Sequence, residues 1–119
     1  MARVLIAGTL DFAGGDVCAQ IIRGAAEHIA ASRKESGCSA YDWAADPLVP
    51  GRIHVFESWE SEAALGAHFH HASYVAMRAH LGAHEITGFD VKLYSVAGIE
   101  PVYAEDGQHR NAIFGVTIG

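Results

Sequence analysis

SAYDWAADPLVPGRIHVFESW, residues 39–59, decides the fold. Ser39 to Ala44 alternates in polarity and is rich in aromatics, which predicts a strand. Asp46-Pro47-Leu48-Val49-Pro50-Gly51 predicts a turn, because two prolines and a glycine cannot continue a hydrogen-bonded ladder. Arg52 to Trp59 then returns as a second strand. Successive strand residues point to opposite faces, so Ile53, Val55, Glu57 and Trp59 share one face and His54, Phe56 and Ser58 the other.

N-terminal to this hairpin, Val17, Ile21, Ala25 and Ile29 recur every four residues with Ile22 on the flank. Arg23, Glu27 and Arg33 fall opposite, which predicts one amphipathic helix. Asp16 is placed to cap its start, and Arg33-Lys34 followed by Gly37 suits its end. Before it, Arg3 to Leu10 (RVLIAGTL) is almost continuously apolar, as in a strand buried on both faces. After the hairpin, Ser61 caps a second helix with Glu62 in its first turn. That helix breaks near His71-Ala72-Ser73, resumes through Tyr74 to Leu81, and ends at Gly82. Ile86 to Val96 predicts the last long strand, with Phe89, Val91, Leu93 and Ser95 alternating against Asp90, Lys92 and Tyr94. The order β-α-β-β-α-β defines an α+β, ferredoxin-like fold: a four-stranded antiparallel sheet with both helices on one face. Aromatics and aliphatics on the other face call for a second subunit, a homodimer.

This domain accounts for residues 1–98. Residues 99–119 form a C-terminal extension. Its polar middle, Glu105 to Arg110, reads as a loop, and Ala112 to Val116 as an extra strand at the dimer interface. At 119 residues, half of them hydrophobic, the chain has room for one domain and a real core. No apolar run approaches the ~20 residues of a membrane span, and the apolar stretch in Met1 to Ala7 is too short for a signal peptide. Fourteen acidic against eight basic residues argue against nucleic-acid and anionic-membrane partners. Cys18 and Cys38 make no CxxC pair and no disulfide framework, and neither has a base beside it, so a cytoplasmic location is expected and cysteine catalysis is not. Gly14-Gly15 lacks the spacing of a nucleotide-binding loop. Five of the eight histidines lie between His68 and His84. His68-Phe69-His70-His71 and the pair His80 and His84 invite a metal reading. No nearby carboxylate or cysteine completes a ligand set, so no metal and no cofactor are expected beyond adventitious nickel or zinc.

The run Ser32 to Asp42 (SRKESGCSAYD) resembles a segment of the antibiotic biosynthesis monooxygenase family. Asp46-Pro47, Phe56 to Ser61, Ala64 to His68 and Ser73 to Met77 resemble its later motifs in the same order, and the likeness covers roughly residues 2–98. The resemblance implies a dimeric α+β barrel with a pocket between the sheet and the second helix. It also implies cofactor-independent oxidation of a small aromatic, a phenol or quinol, with O2. A ligand-binding protein without catalysis and a cofactor-free isomerase using the same pocket are the alternatives. Carried over residue by residue, Trp59 matches a pocket-wall tryptophan, His68 a shared helix histidine, and Arg78 a substrate-facing basic position. Ser73 stands where many relatives have a second histidine, and the oxygenases' pocket asparagine has no counterpart.

His68 is the candidate acid or base, because imidazole titrates near neutrality and its place beside Leu65 turns it toward the apolar side. The plain alternative is a core histidine bonded to a carbonyl. Arg78 would stabilise a phenolate, or simply sit on a solvated helix face. Trp59 would wall an aromatic ligand, or fill core next to Leu65. Tyr41, His54, Phe69 and Tyr74 are the candidate substrate-binding residues, with Tyr41 and His54 in either the cavity or the dimer seam.

Overall fold

The computed structural model describes residues 2–119, and the 39–59 hairpin forms as its sequence dictates. Strand β2 (Cys38–Ala45) pairs antiparallel with β3 (Arg52–Trp59), setting Tyr41 opposite Glu57 and Trp43 opposite Val55. The Asp46 carboxylate accepts the backbone N–H groups of Leu48 and Val49, which closes the turn. Strand β1 (Val4–Phe12) lies between β3 and β4 (Ile86–Ser95), both antiparallel, for a sheet order β2-β3-β1-β4. This is the ferredoxin-like α+β arrangement.

The first helical region is divided into α1 (Val17–Gly24) and α2 (Ala26–Arg33), where the periodicity predicts one helix. The cause is a side chain from elsewhere. His80 Nε2 bonds the Ile21 carbonyl at 2.8 Å, while the Ala25 N–H is shared between the carbonyls of Ile21 and Ile22. Gly24 makes this approach feasible, since a Cβ there would come within 2.7 Å of the His80 ring. Asp16 precedes α1, but its side chain makes no capping bond. Its backbone, at φ −101° and ψ 6°, lies outside the extended region from which a cap side chain reaches the first turn. Gly37 turns the chain into β2 at φ +84°, a conformation that favours glycine, and an added Cβ would collide with Ala64.

The second helical region divides where the sequence says, into α3 (Glu62–Phe69) and α4 (Ala72–Gly82). Ser61 Oγ accepts the Ala64 N–H at 3.1 Å, and the His71 ring caps α4 by accepting the Ser73 N–H. Ser61→Ala should cost roughly 1 kcal/mol of stability, read as a lower urea midpoint at unchanged slope.

Two apolar clusters sit between sheet and helices. Val4, Ala25, Tyr41, Trp59, Leu65 and Met77 form one, and Phe12, Cys18, Ile21 and Ile53 the other. The helices stop short of the β4 edge. Phe89 and Leu93 pair across from Leu10 and Ile6, on the side the helices cover elsewhere, yet they are 79% and 63% exposed. Beyond β4, Ala112–Ile113 (β5) and Val116–Thr117 (β6) make a small hairpin of their own rather than one added strand. Phe114 and Gly115 form its turn, both at positive φ as a tight hairpin requires.

Candidate functional site

The short reach of the helices leaves a cleft of about 720 Å³ between α4 and the sheet, within the range of small-molecule sites. Tyr41 and Trp43 of β2, Val55 and Glu57 of β3, Tyr74, Met77 and Arg78 of α4, and Ile86 to Phe89 of β4 form its wall. The lining is mainly apolar and aromatic, with few polar groups. Arg78 Nη1 donates to the Tyr74 hydroxyl at 3.4 Å, one helical turn apart. The Trp43 indole N–H is buried and has no hydrogen-bond partner among the described residues.

Glu57 is the carboxylate of this wall. Strand parity turns it inward between Val55 and Trp59, where its side chain is only 9% exposed. Trp59, two residues on and so on the same face, donates its indole N–H to Glu57 Oε1 at 3.0 Å. Burial pushes the Glu57 carboxyl up to about 7; the Trp59 N–H opposes this, and the Glu35 charge adds to it. Burial, with the Glu57 charge behind it, likewise pushes the Tyr41 hydroxyl up to about 12, so this phenol stays protonated.

The raised Glu57 carboxyl makes stability depend on pH. Between its ordinary 4.5 and about 7 the folded protein binds more protons than the unfolded chain, so stability falls as pH rises through that window. Glu57→Gln should therefore gain stability over the wild type at pH 8, by up to about 3 kcal/mol, and lose that gain below pH 4. Urea titrations at the two pH values measure the difference.

Behind the wall lies a buried polar network. His68 on α3 is 1% exposed, and its Nδ1 lies 2.8 Å from Glu35 Oε2, in the turn after α2. Its Nε2 faces Glu57 Oε1 at 4.0 Å. The Ser73 hydroxyl donates to the same Glu35 oxygen at 2.9 Å and accepts from Ser32. The His68 ring packs on Trp59 at 4.5 Å between centroids, with the Tyr41 and Tyr74 rings edge-on at 5.6 and 5.3 Å. Glu35 fixes the imidazole: a carboxylate at Nδ1 holds the proton there and leaves Nε2 to face Glu57.

His68, Trp59, Tyr41 and Tyr74 are thus brought together, and Arg78 joins them through Tyr74. Tyr41, Tyr74 and Arg78 line the cleft itself, whereas His68 and Trp59 stand one layer behind it. Phe69 meets the Tyr74 ring edge-on at 5.1 Å and is 42% exposed, outside the cleft lining. His54 lies on the opposite sheet face. There its Nε2 bonds Asp46 at 2.7 Å, the main reason the Asp46 carboxyl falls to about 2. Of the remaining histidines, His80 is engaged with the Ile21 carbonyl and His84 packs edge-on against Phe12. Among the described residues no three His, Cys, Asp or Glu side chains converge as a metal site. Glu35 and Glu57 are the site residues that sequence reasoning misses. A lone carboxylate on the face of Ile53, Val55 and Trp59 was a usable signal for Glu57, because unpaired acids are rarely buried. Glu35 offered none.

Fold and site together define a ferredoxin-like α+β domain with an aromatic cleft between the sheet and the second helical region. Residues 8–80 match the antibiotic biosynthesis monooxygenase family, and the chain belongs to it. No curated protein matches it in sequence. Among solved structures, a Deinococcus radiodurans protein assigned by name to antibiotic biosynthesis monooxygenases superposes with a TM-score of 0.73 at 22% identity, covering 85% of this chain and 99% of its own. A Mycobacterium tuberculosis protein gives 0.68 at 22%, covering 86% and 100%. A Chloroflexus aurantiacus protein, also assigned by name to these monooxygenases, gives 0.69 at 18%, with the same coverage. At these identities the likeness is one of fold. Among the described residues no helix is long and apolar enough to cross a membrane.

Proposed function

We propose that this protein is a cofactor-independent monooxygenase that oxidises a small phenol or quinol with O2 in the cleft. The observation that carries this reading is a carboxylate in the cleft wall, Glu57, backed by the buried His68 imidazole, with Arg78 on the same cleft. Electron transfer to O2 needs an electron-rich phenolate, and unperturbed phenols ionise only near pH 10, as tyrosine does. The site must therefore remove a proton and hold an anion at neutral pH. The proton ends on His68, behind the wall, and Arg78, charged at any working pH, stabilises the phenolate oxygen. Tyr41 and Tyr74 line the cleft with rings, Trp59 and Phe69 pack behind and beside them, and Arg78 stands exposed at its edge, where its charge meets the ligand oxygen. His54, on the other face, is left to the dimer seam.

The open sheet face supports a homodimer. Phe56 and Tyr94, 41% and 47% exposed, lie on it beside Leu5 and Ala7, and the 99–119 extension adds exposed Ile99 and Phe114 beside Leu5 and Ser58 at its margin. Sedimentation at micromolar protein should give twice the chain mass, and a stable monomer contradicts this. Arg78→Ala should slow oxidation of an unactivated phenol on the order of 10²-fold, and slow a nitro-substituted phenol far less, since that phenol ionises unaided. Equal losses on both substrates would remove Arg78 from the anion site. An oxygen electrode with hydroquinones and anthrones tests the activity itself: uptake with no cofactor added supports it, and binding without uptake refutes it.

A further inference from the structure

His68 is 1% exposed, and a ligand entering the cleft meets Glu57 first. We propose that Glu57 is the group that takes the ligand's phenolic proton and that it passes this proton inward to His68. Glu57 is then the catalytic residue in contact with substrate, His68 the interior acceptor, and Glu35 a positioning residue. The inference rests on the reading of the cleft as a phenol site.

The geometry is that of a relay. The Glu57 oxygen held by the Trp59 N–H lies 4.0 Å from His68 Nε2, so transfer needs the carboxyl and imidazole to approach by roughly 1 Å to hydrogen-bond distance. The far side of the imidazole is fixed at 2.8 Å by Glu35, whose charge stabilises the imidazolium once formed. In the first step the phenol O–H bond breaks and an O–H bond forms on Glu57. In the second that bond breaks and an N–H bond forms on His68 Nε2. The products are phenolate and imidazolium, with no electron moved and no further reagent consumed. The ionisable groups around the pair are Cys38 and Tyr41 from β2, Glu35 from the turn after α2, His71 at the start of α4, 3.9 Å from Glu35, and Tyr74 and Arg78 from α4. Tyr41 is protonated throughout the neutral range, and Arg78 is charged throughout it. A carboxyl raised to about 7 is half-ionised at the pH where it would act, as an efficient acid–base group requires.

The test is a carbon-13 and nitrogen-15 NMR titration of the whole protein, following the Glu57 carboxyl and the His68 imidazole, beside Glu57→Gln and His68→Gln. The glutamine at 57 keeps an oxygen for the Trp59 N–H, so the wall stays packed. The expected result is that the two wild-type groups titrate together near neutrality. Each variant should then move its partner's titration at least tenfold in proton affinity, roughly one pKa unit. Independent titrations, in the wild type alone or unmoved by the variants, overturn the relay whatever the turnover. Oxygen uptake with hydroquinone supplies the second arm: Glu57→Gln should lose the pH-rate limb near neutrality, and retention of the wild-type profile overturns the assignment. Coupled titrations with no uptake by the wild type would refute the oxygenase reading and leave the shared proton standing.

Discussion

His68→Ala is expected to lower the turnover number for a hydroquinone by ~10²–10⁴, the usual loss when a positioned acid–base group is removed. The pH-rate limb near histidine's titration range should vanish with it, between about pH 5 and 8. The variant also leaves Glu35 buried with the Ser73 hydroxyl as its remaining close side-chain donor, so some stability is lost as well. Urea unfolding separates the two effects: a folded variant with wild-type turnover across that pH range removes His68 from the chemistry. His68→Gln, which keeps a donor for Glu35, should recover stability without recovering the rate.

Trp59→Ala should be the most destabilising single change in the domain, by ~3–5 kcal/mol. The side chain is 0% exposed, belongs to the main apolar cluster, and stacks on His68. It also supplies the indole N–H that holds Glu57 in place. Trp59→Phe isolates that second role, because it keeps most of the ring and deletes the donor. Without the N–H the Glu57 carboxyl should titrate still higher, and the acid limb of the pH-rate profile should move to higher pH. An unmoved limb would show that the Trp59–Glu57 bond plays no part in the reaction.

The fold was legible in the sequence because its signals are local. A proline-bounded turn between two alternating strands, one four-residue apolar repeat and a serine cap placed the strands and the helical regions. The division of α1 from α2 was not legible, since it depends on His80, remote in sequence, reaching the Ile21 carbonyl. Asp16 has the right residue type for a cap, but its backbone conformation is set by the loop and not by its side chain. The site was readable in part. Period-two parity puts Trp59 and Glu57 on one face, and helical spacing turns His68 inward beside Leu65. What parity could not say is that His54 faces away from Tyr41, which required the pairing of Tyr41 with Glu57. Glu35 escaped entirely, because its bond to His68 spans 33 residues and has no sequence period.

The proposed reaction inserts one atom of O2 into a small phenolic substrate. Oxidation of an anthrone under ¹⁸O-labelled dioxygen, with purified protein and no added cofactor, tests it most directly. The methylene carbon should become a carbonyl carrying one labelled oxygen, while the second oxygen leaves as water with both hydrogens and the reducing electrons drawn from the substrate. Product that forms without label, or anthrone that binds in the cleft while dioxygen is not consumed, would rule out oxygen insertion by this site.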